Sequence, residues 1–239
     1  MRIAAIADIH LGEDSGGRLR PAFEELGECA DVLLVAGDLT RHGSLAEAGV
    51  VARELTGLPV PVLAVLGNHD HHSDAGDEIT ALLEDHGVRV LEGDAVTVDV
   101  GGRRLGVAGV KGFGGGFAGA CASEFGEREM KDFVGHTAAS ADRLRGALKE
   151  VGDADVRVAM THYAPIPETL AGEPEQIYPF LGSYLFGEVI DEAGVDLAVH
   201  GHAHFGSEKG NTPAGVPVRN VAQPIIRTAF ATYVLPETG

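Results

Sequence analysis

The chain has 239 residues, of which 44% are hydrophobic and 23% charged, so it carries enough apolar material for a folded core. Its 18 basic and 36 acidic residues give a net charge of −18. Such a field repels polyanions, which makes an extended nucleic-acid partner or an anionic membrane surface unfavourable. No apolar stretch reaches the ~18 residues of a membrane-spanning helix. Two cysteines are too few for a disulfide framework. With Asp8 placed where a signal peptide would still be apolar, these features predict a cytoplasmic protein without a membrane segment.

Six short apolar runs have the length of strands and lack polar alternation, which is typical of sheets covered by helices. They occupy residues 3–7, 32–36, 60–66, 105–110, 156–160 and 195–199. Residues 96–100 and 103–107 flank Gly101 and Gly102 and predict a hairpin. The tail, 217–235, is rich in β-branched and aromatic residues and predicts two closing strands.

Five amphipathic segments of helical length lie between these runs. They occupy residues 18–30, 44–56, 74–86, 138–151 and 180–193. Ser44 and Glu47 form a capping-box pattern at the start of the second, and Gly194 ends the fifth. We therefore expect an α/β chain with a mixed sheet system, folded as a single domain over residues 1–239.

Five of the six apolar runs end in side chains that bind metals or carry charge. The first is followed by Asp8 and His10, the second by Asp38, the third by Asn68, His69 and Asp70, the fifth by His162, and the sixth by His202 and His204. Because ligands of open α/β sheets bind beyond the carboxyl ends of the strands, we expect these side chains to converge in one crevice.

The donor types indicate a metal site. Carboxylates and imidazoles without cysteine suit Mn, Fe, Zn or Mg. Seven candidate ligands are too many for one tetrahedral ion but fit two divalent ions that share a bridging carboxylate: Asp8, His10, Asp38, Asn68, His162, His202 and His204. Asn68 would add an oxygen ligand without adding negative charge.

The five groups of polar residues that follow the apolar runs, called blocks below, resemble the sequence motifs of the calcineurin-like metallophosphoesterase superfamily. All five family motifs occur in order between residues 8 and 204. The residues of the second block, which begins at Gly37, are more similar to those of the small bacterial-type phosphodiesterase and phosphatase branch than to those of other branches. The resemblance implies a four-layered α/β/β/α sandwich with two facing mixed β-sheets. It also implies that one metal is held by Asp8, His10, Asp38 and His204, and the other by Asp38, Asn68, His162 and His202, with Asp38 bridging.

The implied reaction is hydrolysis of a phosphoester bond in a small phosphodiester or phosphomonoester, cyclic nucleotides included, by a hydroxide that bridges the two metals. His69 would protonate the leaving group, and Asp70 would orient the imidazole of His69. Two alternatives stay open: a nuclease of the same superfamily, which the net charge and only four lysines oppose, and a non-catalytic scaffold with the same fold. The oligomeric state, the native metal pair and the preference between mono- and diesters are also open, and a homo-oligomer is allowed.

Two further segments bear on the substrate. The Gly-rich residues 110–120 predict a flap over the site or a surface turn, and residues 163–185 predict a wall of the site or an oligomer contact. Candidate substrate contacts are Arg41, His42, His71 and His72. We expect His86 to cap a helix, His136 to lie in a loop, and His200 to be a hydrogen-bonded core residue or a residue that supports a ligand, and not an eighth ligand.

Overall fold

The computed structural model describes residues 1–235, which form thirteen strands and eight α-helices. The strands are β1 (Arg2–Ile6), β2 (Val32–Ala36), β3 (Val62–Val65), β4 (Val88–Val90), β5 (Asp94–Val100), β6 (Arg103–Val110), β7 (Gly116–Phe117), β8 (Ala120–Cys121), β9 (Val156–Thr161), β10 (Leu197–His200), β11 (Lys209–Asn211), β12 (Pro217–Asn220) and β13 (Ala231–Val234). The helices are α1 (Arg20–Glu24), α2 (Leu26–Cys29), α3 (Leu45–Leu55), α4 (Gly76–Asp85), α5 (Arg128–Glu150), α6 (Tyr178–Leu181), α7 (Tyr184–Ala193) and α8 (Gln223–Ile226). Two short 3₁₀ helices, Glu168–Leu170 and Glu175–Ile177, precede α6.

The strands form two large mixed sheets. Sheet 1 has the order β13-β1-β2-β3-β4, with β1 to β4 parallel and β13 antiparallel to β1. Sheet 2 has the order β11-β12-β10-β9-β6-β5. Its four inner strands are parallel, and both edge strands run antiparallel to their neighbours. The parallel strands of each sheet therefore deliver the residues that follow them to one edge.

Alternation along the strands builds the layers. In β1, Ala4 and Ile6 pack against the helices α1 to α4, whereas Ile3 and Ala5 pack into the space between the two sheets. Sheet 2 faces α5 and α7 on its outer side. The chain thus forms an α/β/β/α sandwich with two facing mixed sheets, and the expected fold class is confirmed.

Several element boundaries differ from the sequence expectation. Helix α5 begins ten residues before the expected 138, because its first turns are largely exposed and carry no apolar stripe. His136 consequently lies in this helix and not in a loop. The expected helix 18–30 is divided into α1 and α2, and Gly27 packs against Pro59. The expected helix 180–193 is interrupted at Gly182, where the carbonyl of Ala164 leaves no room for a Cβ.

Residues 114–117 of the Gly-rich segment are packed and do not form a flap, whereas residues 118 and 119 form an exposed turn. The backbone N–H groups of Gly115 and Gly116 donate to the carbonyls of Pro179 and Gly182 at 2.7 and 2.8 Å, and residues 114–117 are buried. The tail strands also differ from a simple closing pair, because β12 joins sheet 2 whereas β13 joins sheet 1.

Candidate metal centre

The predicted polar residues converge at one edge of the sandwich. Asp8, Asp38 and Asn68 follow β1, β2 and β3 of sheet 1, whereas His162 and the pair His202 and His204 follow β9 and β10 of sheet 2. The parallel bridge between residues 7 and 222 and the bond from the backbone N–H of Gly201 to the carbonyl of His162 tie these loops together. The expected crevice therefore lies between the two sheets.

Two groups of donor atoms lie close enough to hold metal ions. The first is Asp8, His10, Asp38 and His204, and the second is Asp38, His162 and His202; the donor atoms within each group lie within 4.8 Å of one another. In the first group, Nε2 of His204 lies 2.9 Å from Oδ1 of Asp8. In the second, Nε2 of His162 lies 3.3 Å from Oδ1 of Asp38. Asp38 belongs to both groups, as a bridging ligand would.

Asn68 completes the second group. Its Oδ1 lies 3.0 Å from Nε2 of His162. The other ring nitrogen of His162, Nδ1, donates to the carbonyl of Ala36 at 2.9 Å. Nε2 of neutral His162 therefore presents a lone pair to two oxygen acceptors, those of Asn68 and Asp38. Three acceptors in contact without a shared proton are an arrangement that a cation stabilises.

His10 provides a second indication that the donor set fits cations. Its Nε2 is buried and has no hydrogen-bond partner within residues 1–235. The same atom lies 4.0 Å from Oδ1 of Asp8 and 3.7 Å from Oδ2 of Asp38. A buried, unpaired ring nitrogen costs free energy, and coordination to a metal ion would remove that cost.

Burial controls the ionisation of these groups. It raises the pKa of Asp8 to about 6, and it lowers the pKa of His10 to about 4 and that of His202 to about 3. The pKa of fully buried His162 is also lowered by burial, well below its ordinary value. These histidines are therefore neutral near pH 7, which is the form that binds metals.

Main-chain carbonyls select the ring nitrogens that face the centre. Nε2 of His202 donates to the carbonyl of Phe180 at 3.2 Å, which leaves Nδ1 free. Nδ1 of His69 donates to the carbonyl of Arg41 at 2.8 Å, so its Nε2 points toward Asp38. Such a contact fixes both tautomer and ring orientation, as in many metal sites.

Backbone strain is concentrated at the same residues. Asp8, His10, Asp38 and His202 have φ values of 57°, 42°, 52° and 70°. Within residues 1–235, only two other non-glycine residues have positive φ, Asp74 and Arg227. A left-handed residue other than glycine costs of order 1 kcal/mol and is typical of functional sites. The loops adopt this conformation because it turns the donor atoms into the crevice.

Glycines next to the donors allow the loops to approach closely. A Cβ added to Gly67 would overlap Oδ1 and the backbone nitrogen of Asp38, and one added to Gly201 would overlap Oδ2 of Asp8. Each glycine precedes a candidate ligand, Asn68 or His202. The Gly-Asn and Gly-His pairs thus provide the space that a donor from a neighbouring strand occupies.

One predicted contact is wrong. Asp70 does not reach the imidazole of His69, because its buried carboxylate accepts hydrogen bonds from the backbone N–H groups of Leu39, Thr40 and Gly67 and from the Thr40 hydroxyl, at 2.6 to 3.2 Å. Burial, followed by the charge of Asp38, raises the pKa of Asp70 to about 6. Asp70 therefore joins the loops after β2 and β3, and the Arg41 carbonyl orients His69.

The sequence of residues 1–206 matches the family described as calcineurin-like phosphoesterase. This match covers most of the chain and all five blocks that contribute to the site. The chain belongs to the calcineurin-like phosphoesterase family. It is accordingly a metallophosphoesterase, and the candidate metal groups fit this membership.

Several solved structures share the fold. A phosphopantetheinyl hydrolase from Mycobacterium tuberculosis has a TM-score of 0.69 at 15% identity, with 94% of this chain and 90% of that chain covered. GAP50, described as the anchor in the inner membrane complex of Plasmodium, has a TM-score of 0.58 at 13% identity, with 94% and 72% covered. A hypothetical protein from Thermus thermophilus has a TM-score of 0.53 at 18% identity, with 92% and 75% covered. Among curated proteins, no sequence matches. At these identities the likeness shows the fold alone.

The candidate substrate contacts Arg41 and His42 of this phosphoesterase, and two of its other histidines, bond to neighbouring residues. Arg41 pairs with Asp14 at 3.1 Å, and His42 bonds to Glu47. His86 ends α4, and its Nδ1 bonds to the carbonyl of Leu82. His200 is buried and uses both ring nitrogens, toward the Gly201 carbonyl and the Thr169 hydroxyl, so it is a core residue as expected.

The segment 163–185 lines one side of the metal centre. Its Phe180 contributes a carbonyl to His202, and the Phe180 side chain is 62% exposed and lines an apolar cavity of about 330 Å³ together with Met130 and Phe133. Within residues 1–235, no helix is both long enough and apolar enough to span a membrane.

Sequence reasoning missed three residues near the site. Asn220 is buried, and its side-chain amide donates to the carbonyl of Ala203 at 2.8 Å, between His202 and His204. Lys111 and Tyr163 lie beside His162. A lysine after an apolar run was a usable signal, because it begins the Gly-rich segment where the other runs have acids and histidines. Asn220 carried no such signal, and Tyr163 carried only the general one of the segment 163–185.

Proposed function

We propose that this phosphoesterase is a binuclear enzyme that hydrolyses a small phosphodiester or phosphomonoester. The observation that carries the proposal is the pair of donor groups that share Asp38. We assign one ion, from Mn, Fe, Zn or Mg, to Asp8, His10, Asp38 and His204, and a second to Asp38, Asn68, His162 and His202. The buried, unpaired Nε2 of His10 supports the first assignment, and the acceptor contact between His162 and Asn68 supports the second.

The metal ions would supply Lewis-acid polarisation of the phosphoryl group and activation of water. His69 would supply the proton for the leaving oxygen. Its Nδ1–H remains bonded to the Arg41 carbonyl, so a proton on Nε2 is the one available for transfer. The side chain is 42% exposed, which leaves room for a leaving group beside it.

The electrostatic field favours a small substrate over a polymer. A nuclease must neutralise several phosphates with basic residues, whereas this chain has four lysines and a net charge of −18. The scaffold alternative is supported by the fold of GAP50, but in this chain all seven candidate ligands and His69 are present and grouped. We therefore favour the enzyme, with cyclic nucleotides among the diesters to be tried.

Two broader expectations belong to the same proposal. The free cysteines, Cys29 and Cys121, fit a reducing compartment and support a cytoplasmic location. We also propose that residues 1–239 form one metallophosphoesterase domain, although residues 236–239 lie outside the described part of the chain.

The test is the initial rate on bis-p-nitrophenyl phosphate and on p-nitrophenyl phosphate, measured with metal-stripped protein reloaded with Mn²⁺. The variant Asp38→Ala should lose at least about 10³-fold in kcat/KM, because both donor groups lose a ligand. The matched control is Asp85→Ala, an exposed aspartate at the end of α4, which should keep the wild-type rate. The ratio of the two ester rates separates a diesterase from a monoesterase. Silence on both esters with metals bound would favour either a selective natural substrate or the scaffold.

A further inference from the structure

Lys111 places a cation beside the metal centre. It follows β6, and its carbonyl accepts hydrogen bonds from the backbone N–H groups of His162 and Tyr163 at 3.0 and 3.1 Å. Its Nζ lies 5.1 Å from the ring centroid of Phe113 and 5.3 Å from that of Tyr163. The ammonium is therefore held by two aromatic faces, next to a candidate metal ligand.

This ammonium has no carboxylate partner within residues 1–235. Its one hydrogen bond is to the carbonyl of Gly112 at 3.3 Å, so two of its three N–H donors are unused. The neighbouring acid, Glu92, is engaged elsewhere: one oxygen accepts from Nη2 of Arg143 at 2.7 Å, and the other accepts from the backbone nitrogen of Lys111 at 3.0 Å. An unpaired, partly buried ammonium in a chain of net charge −18 needs a local reason.

Tyr163, whose ring contacts the ammonium of Lys111, carries a second donor. The residue is 7% exposed, and its hydroxyl has no hydrogen-bond partner within residues 1–235. Its ring centroid lies 4.4 Å from that of His202 and 5.6 Å from that of His162. The tyrosine ring thus contacts both the histidines of the second metal group and the ammonium of Lys111.

Lys111 and Tyr163 therefore contact each other and adjoin His162 and His202, so an anion bound to them would lie beside the second donor group. The scissile phosphoryl group of the proposed reaction would be neutralised at the two metal groups. The free donors of Lys111 and Tyr163 would remain available for another anion, and charge-assisted hydrogen bonds to phosphate or carboxylate are the strong ones.

We propose that Lys111 and Tyr163 form a subsite for a second anionic group of the substrate, either a phosphate or a carboxylate. This inference rests on the proposed function and narrows it, because the substrate then carries two negative groups. The expected substrates are small molecules that carry a second phosphate or a carboxylate in addition to the phosphoester that the enzyme cleaves.

The test uses three non-hydrolysable ligands of equal carbon count: propylphosphonate, 3-phosphonopropionate and propane-1,3-diphosphonate. The first has one anionic group, and the others add a carboxylate or a second phosphonate. Calorimetry on the Mn²⁺-loaded protein should give about tenfold tighter binding for at least one doubly anionic ligand, the factor expected for a charge-assisted hydrogen bond. The arm that shows the preference identifies the second group.

Variants assign the preference to the subsite. The ratio of the affinity for the preferred doubly anionic ligand to that for propylphosphonate measures the preference. Lys111→Met should reduce this ratio to about one, and Lys111→Arg should retain part of the preference. Tyr163→Phe should weaken the preference without changing the charge of the protein. The control Lys149→Met removes one charge from the exposed end of α5 and should leave the preference unchanged. Melting temperatures check folding, and Tyr163→Phe keeps the test decisive if Lys111→Met is unstable.

Equal binding of all three ligands by the wild type, or a preference that survives in Lys111→Met, would overturn the inference. Because the readout is binding, it is separate from the ester assay. A protein that shows the preference and loses it in Lys111→Met, yet hydrolyses no ester, would contradict the proposed function and leave the subsite supported.

Discussion

The two sheets contribute different chemistry to the centre. Sheet 1 delivers the oxygen donors Asp8, Asp38 and Asn68, together with His10 and His69. Sheet 2 delivers only imidazoles to the candidate ligand set, those of His162, His202 and His204. Neither half contains both a full set of neutral nitrogen ligands and the carboxylates that balance the charge of two cations. The site therefore exists only when the sheets are packed together.

Burial acts in opposite directions on the carboxylates and the imidazoles of the centre. It raises the pKa of Asp8 to about 6, whereas it lowers the pKa of His10 to about 4 and that of His202 to about 3. Burial disfavours the charged form in both cases. A metal ion reverses the effect for the carboxylate and benefits from it for the imidazole, so metal binding should couple the two halves.

The largest effect is expected from His69, the proposed proton donor, which lies in the sheet 1 half. His69→Ala should lower kcat by about 10²- to 10⁴-fold, the usual contribution of a general acid, while the bound metal stays at the wild-type level. Steady-state kinetics combined with elemental analysis checks this. Metal loss in the variant would mean that His69 is a ligand.

A substitution at Gly67 tests whether the close approach of this residue to Asp38 matters for metal binding. Gly67→Ala should weaken Mn²⁺ binding about 10- to 100-fold, because the new methyl group overlaps Oδ1 of Asp38. Equilibrium dialysis measures the affinity. Gly135→Ala is the matched control, since a Cβ at Gly135 meets nothing within 4 Å. Equal affinities for the two variants would show that the close approach is unimportant.

Asn220 tests the support of the sheet 2 half. Asn220→Ala removes the amide that holds the carbonyl of Ala203, so Mn²⁺ affinity should fall about tenfold, and the free energy of unfolding should fall by about 1–3 kcal/mol. Dialysis and urea denaturation give the two values. The exposed Asn211→Ala serves as control. An unchanged affinity would assign Asn220 to stability alone.

The pH dependence of metal binding separates the first donor group, which contains Asp8 and His204, from the second without mutation. Below pH 6 a metal must displace a proton from Asp8, whose pKa is about 6, so this group alone should lower Mn²⁺ affinity about fivefold between pH 6 and pH 5. The hydrogen bond to Asp8 raises the pKa of His204, which adds to the slope. His10 and His202 stay neutral in this range, because their pKa values are about 4 and about 3. Calorimetry at both pH values checks this, and a flat affinity would contradict it.

The sequence predicted which residues come together in the candidate centre, because their types and order are visible at the ends of apolar runs. Asp8, Asp38 and His162 needed no coordinates, and the two-sheet fold followed from the resemblance that they support. The contacts that select ring nitrogens are made by the carbonyls of Ala36, Arg41 and Phe180, and a main-chain carbonyl has no residue signature. For the same reason, the sequence points to Asp70 as the residue that orients the imidazole of His69, whereas the carbonyl of Arg41 does so.

Elements were missed where the local pattern was weak. The first turns of α5 are exposed and contain Gly135, so no apolar stripe marks them. The partner of β13 is β1 at the other end of the chain, a pairing that hydrophobic pattern alone cannot specify. The Gly-rich segment was interpreted from composition, whereas its packing depends on Pro179 and Gly182.

The most direct test of the shared centre is the number of Mn²⁺ ions bound per chain after metal stripping and reloading, for wild type and Asp38→Ala, by elemental analysis. Two donor groups that share Asp38 require two ions in the wild type and none held tightly in the variant. One ion or none in the wild type, or two retained in Asp38→Ala, would contradict the binuclear assignment.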